Sequence, residues 1–214
     1  MYNSVMPILL YSDDNTLQDL LPRPEESKFV ALLTTDAGSL RTRLEASFDE
    51  LLVVDVTGPS LKRLNFDAIE AAILDLSPAM LLSQAGRRLL DALGRLAAQD
   101  ELTLVFAGEA TGVVGGFLEN GVTAGLNLIP GTVIVPAVQE VDDLRALLAQ
   151  LSEAGLRLLA LDAPAGALYH NDDSVEMEGA GSLLMVGFSS AQEGQSVARL
   201  QPLSAGMRRH WPNA

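Results

Sequence analysis

A five-residue turn that could support acyl transfer follows one of the most apolar short segments of the chain. The segment Leu102–Ala107 (LTLVFA) predicts a buried strand, and Gly108–Gly112 (GEATG) comes directly after it. A strand that enters a Gly-x-nucleophile-x-Gly turn and leaves it as a helix is typical of hydrolases with a nucleophile elbow. The central residue of such a turn is expected to have a strained backbone, for which the flanking glycines leave room. Backbone N–H groups at the start of the helix can then hold an oxyanion.

The central position of this turn is occupied by Ala110, which has no nucleophilic atom. Ordinary acyl-enzyme chemistry at this position is therefore impossible. Thr111 supplies the nearest hydroxyl but is one step out of place, and Glu109 is either a general base or a solvated acid. Glycine-rich junctions also occur in doubly wound folds simply to bring a helix close to a strand. The motif alone leaves a packing role and a former active site both open.

No other segment offers a clear replacement for the missing nucleophile. Pro202–Gly206 contains Ser-Ala-Gly, but the sequence predicts no buried strand leading into it. Of the two histidines, His170 lies beside an acidic turn, where we expect a surface role, and His210 lies in the C-terminal tail. The spacing of histidines and acids is not that of a metal site, and the glycines do not form a nucleotide-binding pattern. We therefore expect neither a metal nor a cofactor.

Composition indicates a globular protein and narrows the range of partners. The chain has 214 residues, a net charge of −14 and a pI of about 4.4. Because an acidic surface repels phosphate backbones, we expect no nucleic-acid partner. The absence of a long apolar run or a recognisable signal peptide predicts no membrane association and a cytoplasmic location. Cysteine is absent, which excludes disulfides and thiolate catalysis.

Short apolar runs alternate with amphipathic segments, which predicts one α/β domain over residues 1–214 with a mostly parallel sheet and helices on both faces. The predicted strands are Met6–Ser12, Lys28–Thr35, Leu51–Thr57, Pro78–Gln84, Leu102–Ala107 and Thr132–Pro136. The predicted helices are Ser39–Glu50, Phe66–Leu76 with Asn65 as its N-cap, Arg87–Gln99, a short stretch from the turn to Glu119, and Val141–Ala154. A last sheet strand and antiparallel hairpins are predicted over Leu156–Asp162, Ala167–His170, Ser174–Glu178 and Leu183–Ser189.

The order of these segments resembles the dipeptidase E and cyanophycinase family of serine peptidases, which has the class I glutamine amidotransferase-like fold. Gly108–Gly112 resembles the family's Gly-x-Ser-Ala-Gly turn, and Gly125–Ile129 resembles its Gly-Leu-Gly-Leu-Leu segment. Upstream, Ile69–Ser83 followed by Gln84–Gly86 resembles the family's helix, apolar strand and Gly-Gly turn. The resemblance covers roughly residues 6–190 and implies a three-layer α/β/α sandwich of flavodoxin-like type, with extra antiparallel hairpins near the C-terminus.

Alanine occupies the positions at which this family has its catalytic residues. Ala110 replaces the nucleophile, Ala137 replaces the histidine, and Ala163 replaces a nearby glutamate. Three replacements in register imply that the hydrolytic chemistry has been lost. The resemblance still implies a ligand site, whose residues would be Gly108, Glu109, Ala110, Thr111, Gly112, Gln84 and Gly86.

Three functions are compatible with this sequence, and the degenerate turn favours the first of them. The first is a catalytically silent relative of these serine peptidases that binds a small molecule or peptide or serves in assembly, with a homodimer as one expected state. The second is a hydrolase of small acidic peptides or aspartyl-arginine polymer that uses Thr111 or a water activated by Glu109. The third is a structural subunit of a larger complex, which the composition allows but no particular residue requires.

Overall fold

The computed structural model describes residues 7–12, 17, 21, 29–35, 39–48, 51–57, 68–100, 102–118, 121–136, 141–162, 164–170, 172–190 and 196–212. These residues form two β-sheets with helices packed against them, which confirms an α/β fold. No helix within these ranges is long and apolar enough to cross a membrane.

The first sheet combines a parallel part with an antiparallel part. In spatial order, its described strands are β13 (Arg208–His210), β10 (Ser174–Gly179), β9 (Ala165–Tyr169), β1 (Ile8–Tyr11), β5 (Thr103–Ala107), β4 (Ile69–Asp75), β2 (Phe29–Thr34) and β3 (Leu51–Asp55). From β1 to β3 all neighbours are parallel. On the other side of β1 the pairs are antiparallel: β9 with β1, β10 with β9, and β13 with β10. The carboxyl ends of the parallel strands therefore share one edge of the sheet.

The second sheet was not predicted as a separate unit. Its described strands are, in spatial order, β12 (Ser196–Leu203), β11 (Ser182–Ser190), β8 (Arg157–Asp162), β7 (Ile129–Val135) and β6 (Gly115–Phe117). β7 pairs in parallel with both β6 and β8. β11 is antiparallel to β8, and β12 is antiparallel to β11. A prediction of one sheet was reasonable because strands buried on both faces have the same apolar pattern whichever sheet they join.

Helices cover both faces of the first sheet and the outer face of the second. The helices are α1 (Ser39–Ser47), α2 (Pro78–Leu82), α3 (Gln84–Asp100), a 3₁₀ helix (Gly108–Val113) and α4 (Val141–Ala154). Leu44 of α1 packs on one face of the first sheet, and Leu93 of α3 packs on the other. The second sheet shares that latter core through Ile134, and Leu151 of α4 packs on its far side. Burial on both faces explains why the parallel strands are nearly all apolar.

Two predicted elements before α3 have the opposite type in the structure. The helix predicted over Phe66–Leu76 is wrong at Ile69–Asp75, which forms β4; the predicted cap Asn65 and the following residues 66–67 lie outside the described residues. The run IEAAILD offers apolar side chains at helical spacing, but it also suits a strand that is buried between α1 and α3. The sequence pattern fits both a helix and a strand, and burial between the two helices favours the strand.

The strand predicted over Pro78–Gln84 is likewise wrong, because Pro78–Leu82 forms α2. Its start has the usual signals of a helix: proline is at the first helical position, and Ser77 Oγ accepts a hydrogen bond of 3.2 Å from the Met80 N–H. The short helix predicted to run on to Glu119 is also wrong in part, because β6 follows the 3₁₀ helix.

The remaining predicted strands and helices are confirmed over their described residues. The helix Val141–Ala154 has the predicted bounds, and Gly155 ends it with a φ of 66°. The strand β12 was missed, and it leads directly into the Ser-Ala-Gly triplet at 204–206. Its residues 197–200 are exposed, so it is an edge strand and not the buried strand that an elbow requires.

Candidate functional site

The turn after β5 is tight, and one glycine makes it possible. The strand ends at Ala107 and the 3₁₀ helix begins at the next residue, Gly108. Gly108 has a φ of 55°, in the left-handed region that costs a residue with a Cβ atom about 1–2 kcal/mol. A side chain at this position would therefore strain the turn.

Ala110 does not have the strained backbone that we predicted for the centre of the turn. Among the residues that the structure describes, the non-glycine residues with positive φ are Asn127 and Asp173. The residue with a left-handed backbone is instead Gly108, two residues before Ala110, and glycine adopts that conformation without strain. The sequence motif therefore puts Ala110 at the centre of the turn, whereas the residue with the unusual backbone conformation is Gly108. Since glycine and alanine both lack a nucleophilic atom, the turn has no nucleophile at either position.

Thr111, which has the nearest hydroxyl, has a structural role. Its side chain is fully buried, and its Oγ1 donates a hydrogen bond of 3.0 Å to the backbone carbonyl oxygen of Tyr11 at the end of β1. A buried hydroxyl that donates to a buried carbonyl cannot meet a substrate without giving up that hydrogen bond. Thr111 therefore fastens the turn to the neighbouring strand.

A cleft of about 500 Å³ opens in front of this turn. It lies where β4 and β5 end, at the carboxyl edge of the parallel strands, which is where open α/β sheets commonly bind ligands. One wall comes from α1 and the other from the segment that joins β4 to α2. The residues that line it are Leu40, Arg43, Ile73, Leu74, Asp75, Leu76, Ser77, Pro78, Ala107, Gly108, Glu109 and Ala110.

The lining of the cleft combines apolar residues with three charged residues. Arg43 comes from α1 and its Nε is buried, whereas Asp75 is half-buried at the end of β4 and accepts a 3.2 Å hydrogen bond from Thr34 Oγ1. Glu109 is exposed at the turn. Ser77 also lines the cleft, but its Oγ caps α2. The described lining residues therefore offer charges for binding and no activated nucleophile.

The structure brings together only part of the predicted ligand site. Gly108, Glu109 and Ala110 line the cleft, but the other predicted positions are not among its lining residues: Thr111, Gly112, Gln84 and Gly86.

Gln84 and Gly86 begin α3, and Gln84 is exposed. A Cβ atom added to Gly86 would lie 2.2 Å from the Met80 carbonyl oxygen, so this glycine allows α2 and α3 to pack closely. The prediction that Gly86 belongs to a turn after a strand is therefore wrong, because the segment before it, Pro78–Leu82, forms the helix α2.

Sequence reasoning missed Arg43, Asp75 and Ser77 as lining residues. One signal was available: Asp75 follows an apolar run, and a correct assignment of that run as β4 would have placed Asp75 at the same sheet edge as Gly108. Ala137 and Ala163, the predicted replacements of the histidine and the glutamate, lie outside the described residues.

The histidines and the cleft lie at opposite ends of the parallel strands of the first sheet. The chain has two, and the structure describes both. The strand β1 pairs Tyr11 with Ala107, just before the turn, and at its other end pairs Ile8 with Tyr169, just before His170. Three residue steps along a strand span about 10 Å. His170 is therefore at the amino edge of the parallel strands, whereas the turn is at their carboxyl edge.

His210 is on that same amino side, because β13 pairs it with Ser174 at the start of β10. His170 contacts Glu176, with 3.1 Å between Nε2 and Oε2. The described residues contain no group of histidines and acids that could hold a metal ion. Neither histidine is placed to act as a general base in the cleft, since a base must lie within hydrogen-bond reach of the proton it removes.

The amino side also holds a connected set of charged and aromatic side chains. Arg157 Nη1 lies 2.6 Å from Asp173 Oδ2, and the guanidinium stacks 4.4 Å from the centre of the Trp211 ring. Tyr169 donates a 2.9 Å hydrogen bond to Asp173 Oδ1, and burial, with that carboxylate nearby, raises the pKa of Tyr169 to about 12.

Asp172 belongs to the same turn and is strongly acidic. A hydrogen bond from the Ser174 hydroxyl, together with Arg208, lowers the pKa of Asp172 to about 2. Arg208 Nη2 lies 2.8 Å from Asp172 Oδ2. These contacts link the last strand, β13, to the turn between β9 and β10.

Comparison with solved structures finds a peptidase from an acI-B1 actinobacterium with a similar fold. The TM-score is 0.63 at 13% sequence identity, and the match covers 99% of this chain and 100% of that chain. At this level of identity the likeness shows a peptidase-like fold and does not extend to activity. An S-adenosylmethionine-bound amino pentose methyltransferase from Micromonospora echinaspora has a TM-score of 0.13 at 12% identity over 84% of this chain and 70% of that chain, too low to indicate a shared fold. No family model and no curated protein matches the sequence.

Proposed function

We propose that this protein is a catalytically silent relative of the cyanophycinase and dipeptidase E-type serine peptidases, and that its cleft binds a small molecule or peptide. The peptidase-like fold supports the relationship, as does the order of the sequence motifs. In this proposal, the first sheet with α1 and α3 on its two faces corresponds to the three-layer core of the class I glutamine amidotransferase-like fold.

The turn after β5 is the observation that carries the proposal. Gly108 has the left-handed backbone and Ala110 has the central place in the motif, but neither has a nucleophilic atom. Thr111 is buried and hydrogen-bonded to Tyr11. Serine-type hydrolysis needs both a nucleophile and a base that activates it. The cleft has no nucleophile at this turn, and both histidines lie at the other edge of the sheet.

The cleft itself supports binding as the remaining function. Its volume of about 500 Å³ is within the range of small-molecule sites. Apolar side chains from three elements, among them Leu40, Ile73 and Leu76, line it alongside the charged groups. Loss of the nucleophile removes covalent chemistry at the turn and leaves the walls of this cleft intact.

Turnover assays test the proposal directly. We expect no hydrolysis above buffer of aspartyl dipeptides, aspartyl-arginine peptides or aspartyl p-nitroanilide, even at high protein concentration. The proposal fails if turnover is found and is lost in Gly108→Val, whose β-branched side chain would disrupt the turn. Glu153→Gln, on the exposed face of α4, is the matched control, and circular dichroism of Gly108→Val checks that it still folds.

A second candidate is hydrolysis by a water that Glu109 activates, which the exposure of Glu109 at the cleft favours. This mechanism predicts a pH–rate profile with a titrating group that disappears in Glu109→Gln. Absence of turnover in both proteins would exclude it. An assembly role, a homodimer, a cytoplasmic location and the absence of nucleic-acid and membrane partners all stay predictions.

A further inference from the structure

The strand β12 (Ser196–Leu203) lies at the edge of the second sheet, next to β11, and is exposed over half of its length. Four consecutive residues, 197–200, are exposed, so side chains on both faces of the strand meet solvent. They include two large apolar side chains, Val197 and Leu200, which are 47% and 58% exposed. An exposed apolar edge strand presents backbone groups to which another strand can pair.

Pro202 indicates which backbone groups of β12 face outward. It pairs with Leu184 of β11, and proline within a sheet is found where its nitrogen points away from the neighbouring strand. In an antiparallel pair, the N–H and C=O groups of successive residues point alternately toward and away from the neighbour. Residues two, four and six steps before Pro202 therefore also direct these groups outward. They are Leu200, Ala198 and Ser196, and each has the N–H that proline lacks.

One antiparallel register lets two copies of β12 use all three of these residues. If Ala198 lies opposite Ala198 of a second copy, Leu200 of each copy lies opposite Ser196 of the other. Each such pair can exchange two backbone hydrogen bonds. Between them Val197 lies opposite Arg199, which sets an apolar side chain against the stem of the arginine.

Registers that are shifted toward Pro202 are poorer. Placing Ala198 opposite Leu200 would set Arg199 directly opposite Arg199 of the second copy, and like charges in that position destabilise a sheet. Placing Leu200 opposite itself would pair Ala198 with Pro202, which has no N–H to donate. The order of residues along β12 therefore favours pairing that is centred on Ala198.

We propose that β12 pairs with β12 of a second copy of this chain, about a twofold axis near Ala198. Charge supports a second copy as the occupant of this edge. Two chains with a net charge of −14 repel each other, but the strand itself has no acidic residue and carries one arginine, Arg199. Because twofold pairing uses the exposed edge of both copies, assembly stops at a dimer. The pairing is independent of the cleft, so turnover or its absence does not bear on it.

Sedimentation velocity over a range of concentrations tests the dimer. We expect the mass to rise from 22.7 kDa toward twice that value, with a dissociation constant of about 10 µM because one strand pair is a small interface. Ala198→Pro should weaken the dimer about a hundredfold, since each copy loses the N–H at the centre of the pairing. Its nitrogen should point away from β11, as that of Pro202 does, and thermal melting checks that the fold survives.

Ala198→Ser keeps the N–H and is the matched control, which should dimerise as the native protein does. A native protein that stays at 22.7 kDa at every concentration overturns the proposal, even if a strand of another protein binds this edge. A dimer that Ala198→Pro leaves unchanged overturns it as well.

Single cysteines test the register, because the native chain has none. In the proposed pairing the Cα atoms of the two Ala198 residues are about 5.5 Å apart, which suits a disulfide. The two Leu200 residues are four steps apart along the strands, about 13 Å, which is too far. Ala198→Cys should therefore form a disulfide-linked dimer under mild oxidation, whereas Leu200→Cys and Val122→Cys, at exposed positions, should not. Equal linking of all three, or none with Ala198→Cys, would overturn the proposal.

Discussion

The two edges of the first sheet are built from different kinds of residue. At the carboxyl edge, the turn has Gly108, whose φ is positive, and Ala110, and neither residue has a nucleophilic atom. At the amino edge, His170, Arg157 and Asp173 contact one another or nearby acids and aromatic rings. Both histidines of the chain thus lie on the side away from the cleft, where His170 contacts Glu176.

We expect the largest loss of stability from a substitution that disrupts the close packing of α2 against α3, near the carboxyl edge. A Cβ at Gly86 would lie 2.2 Å from the Met80 carbonyl oxygen, so Gly86→Ala should lower the free energy of unfolding by about 3 kcal/mol. Gly112→Ala is the matched control, because its added Cβ would be 3.6 Å from the nearest atom, Pro136 Cδ, and should change stability by less than about 1 kcal/mol. Urea denaturation measures both, and equal losses would contradict the packing role of Gly86.

Thr111→Val tests whether this hydroxyl is structural. The change keeps the shape of the side chain but leaves the Tyr11 carbonyl oxygen without the 3.0 Å hydrogen bond, which should cost about 2 kcal/mol of unfolding free energy. Thr111→Ser retains the hydroxyl and should recover most of that loss in the same urea experiment. If Thr111→Val were as stable as the native protein, the hydroxyl would be free for another role.

Arg157→Met weakens the amino edge more gently. It removes the 2.6 Å ion pair with Asp173 and the stacking on Trp211 while keeping an apolar stem. Because Asp173 is about half exposed, we expect a loss of about 1 kcal/mol in unfolding free energy. Trp211 is the only tryptophan of the chain and is buried, so its emission should also shift to longer wavelength. Arg199→Met, on the exposed edge strand β12, should show neither change.

The smallest effect concerns pH at the same edge. The pKa of Asp172 is lowered to about 2 by the Ser174 hydroxyl and Arg208, so the charged carboxylate stabilises the folded state above the ordinary aspartate pKa of about 4. That contribution is lost as pH falls from about 4 to about 2. The melting temperature of Asp172→Asn should therefore be lower than that of the native protein at pH 6, and the two should converge near pH 2. A constant difference across this range would rule out the ionised carboxylate as its cause.

Much of the fold could be predicted because its strongest patterns are local. Val141–Ala154 has apolar residues at helical spacing and a glycine at its end, and LTLVFA is too short and too apolar for a surface element. The assignment of β4 failed because its seven residues, IEAAILD, five of which are apolar, satisfy both periods. Division into two sheets failed for a related reason, since pairing between β8 and β11 is a long-range choice that no local pattern encodes.

The candidate site was predictable only where it is continuous in sequence. Gly108, Glu109 and Ala110 follow one strand and were identified together. Arg43 and Asp75 come from separate elements, and they meet the turn only through the parallel register of β2, β4 and β5. The backbone conformation of Gly108 could not be predicted either, since the motif places the strain at Ala110.

The central claim is that the cleft has no reactive nucleophile, and labelling with a fluorophosphonate tests it most directly. The native protein would be incubated with excess probe beside an active serine hydrolase in the same buffer, and both would be measured by intact-mass spectrometry. We predict a mass shift of one probe on the hydrolase and none on this protein. An adduct of one probe, mapped by peptide sequencing to Thr111, Ser77 or another residue at the cleft, would contradict the account and make this protein an enzyme.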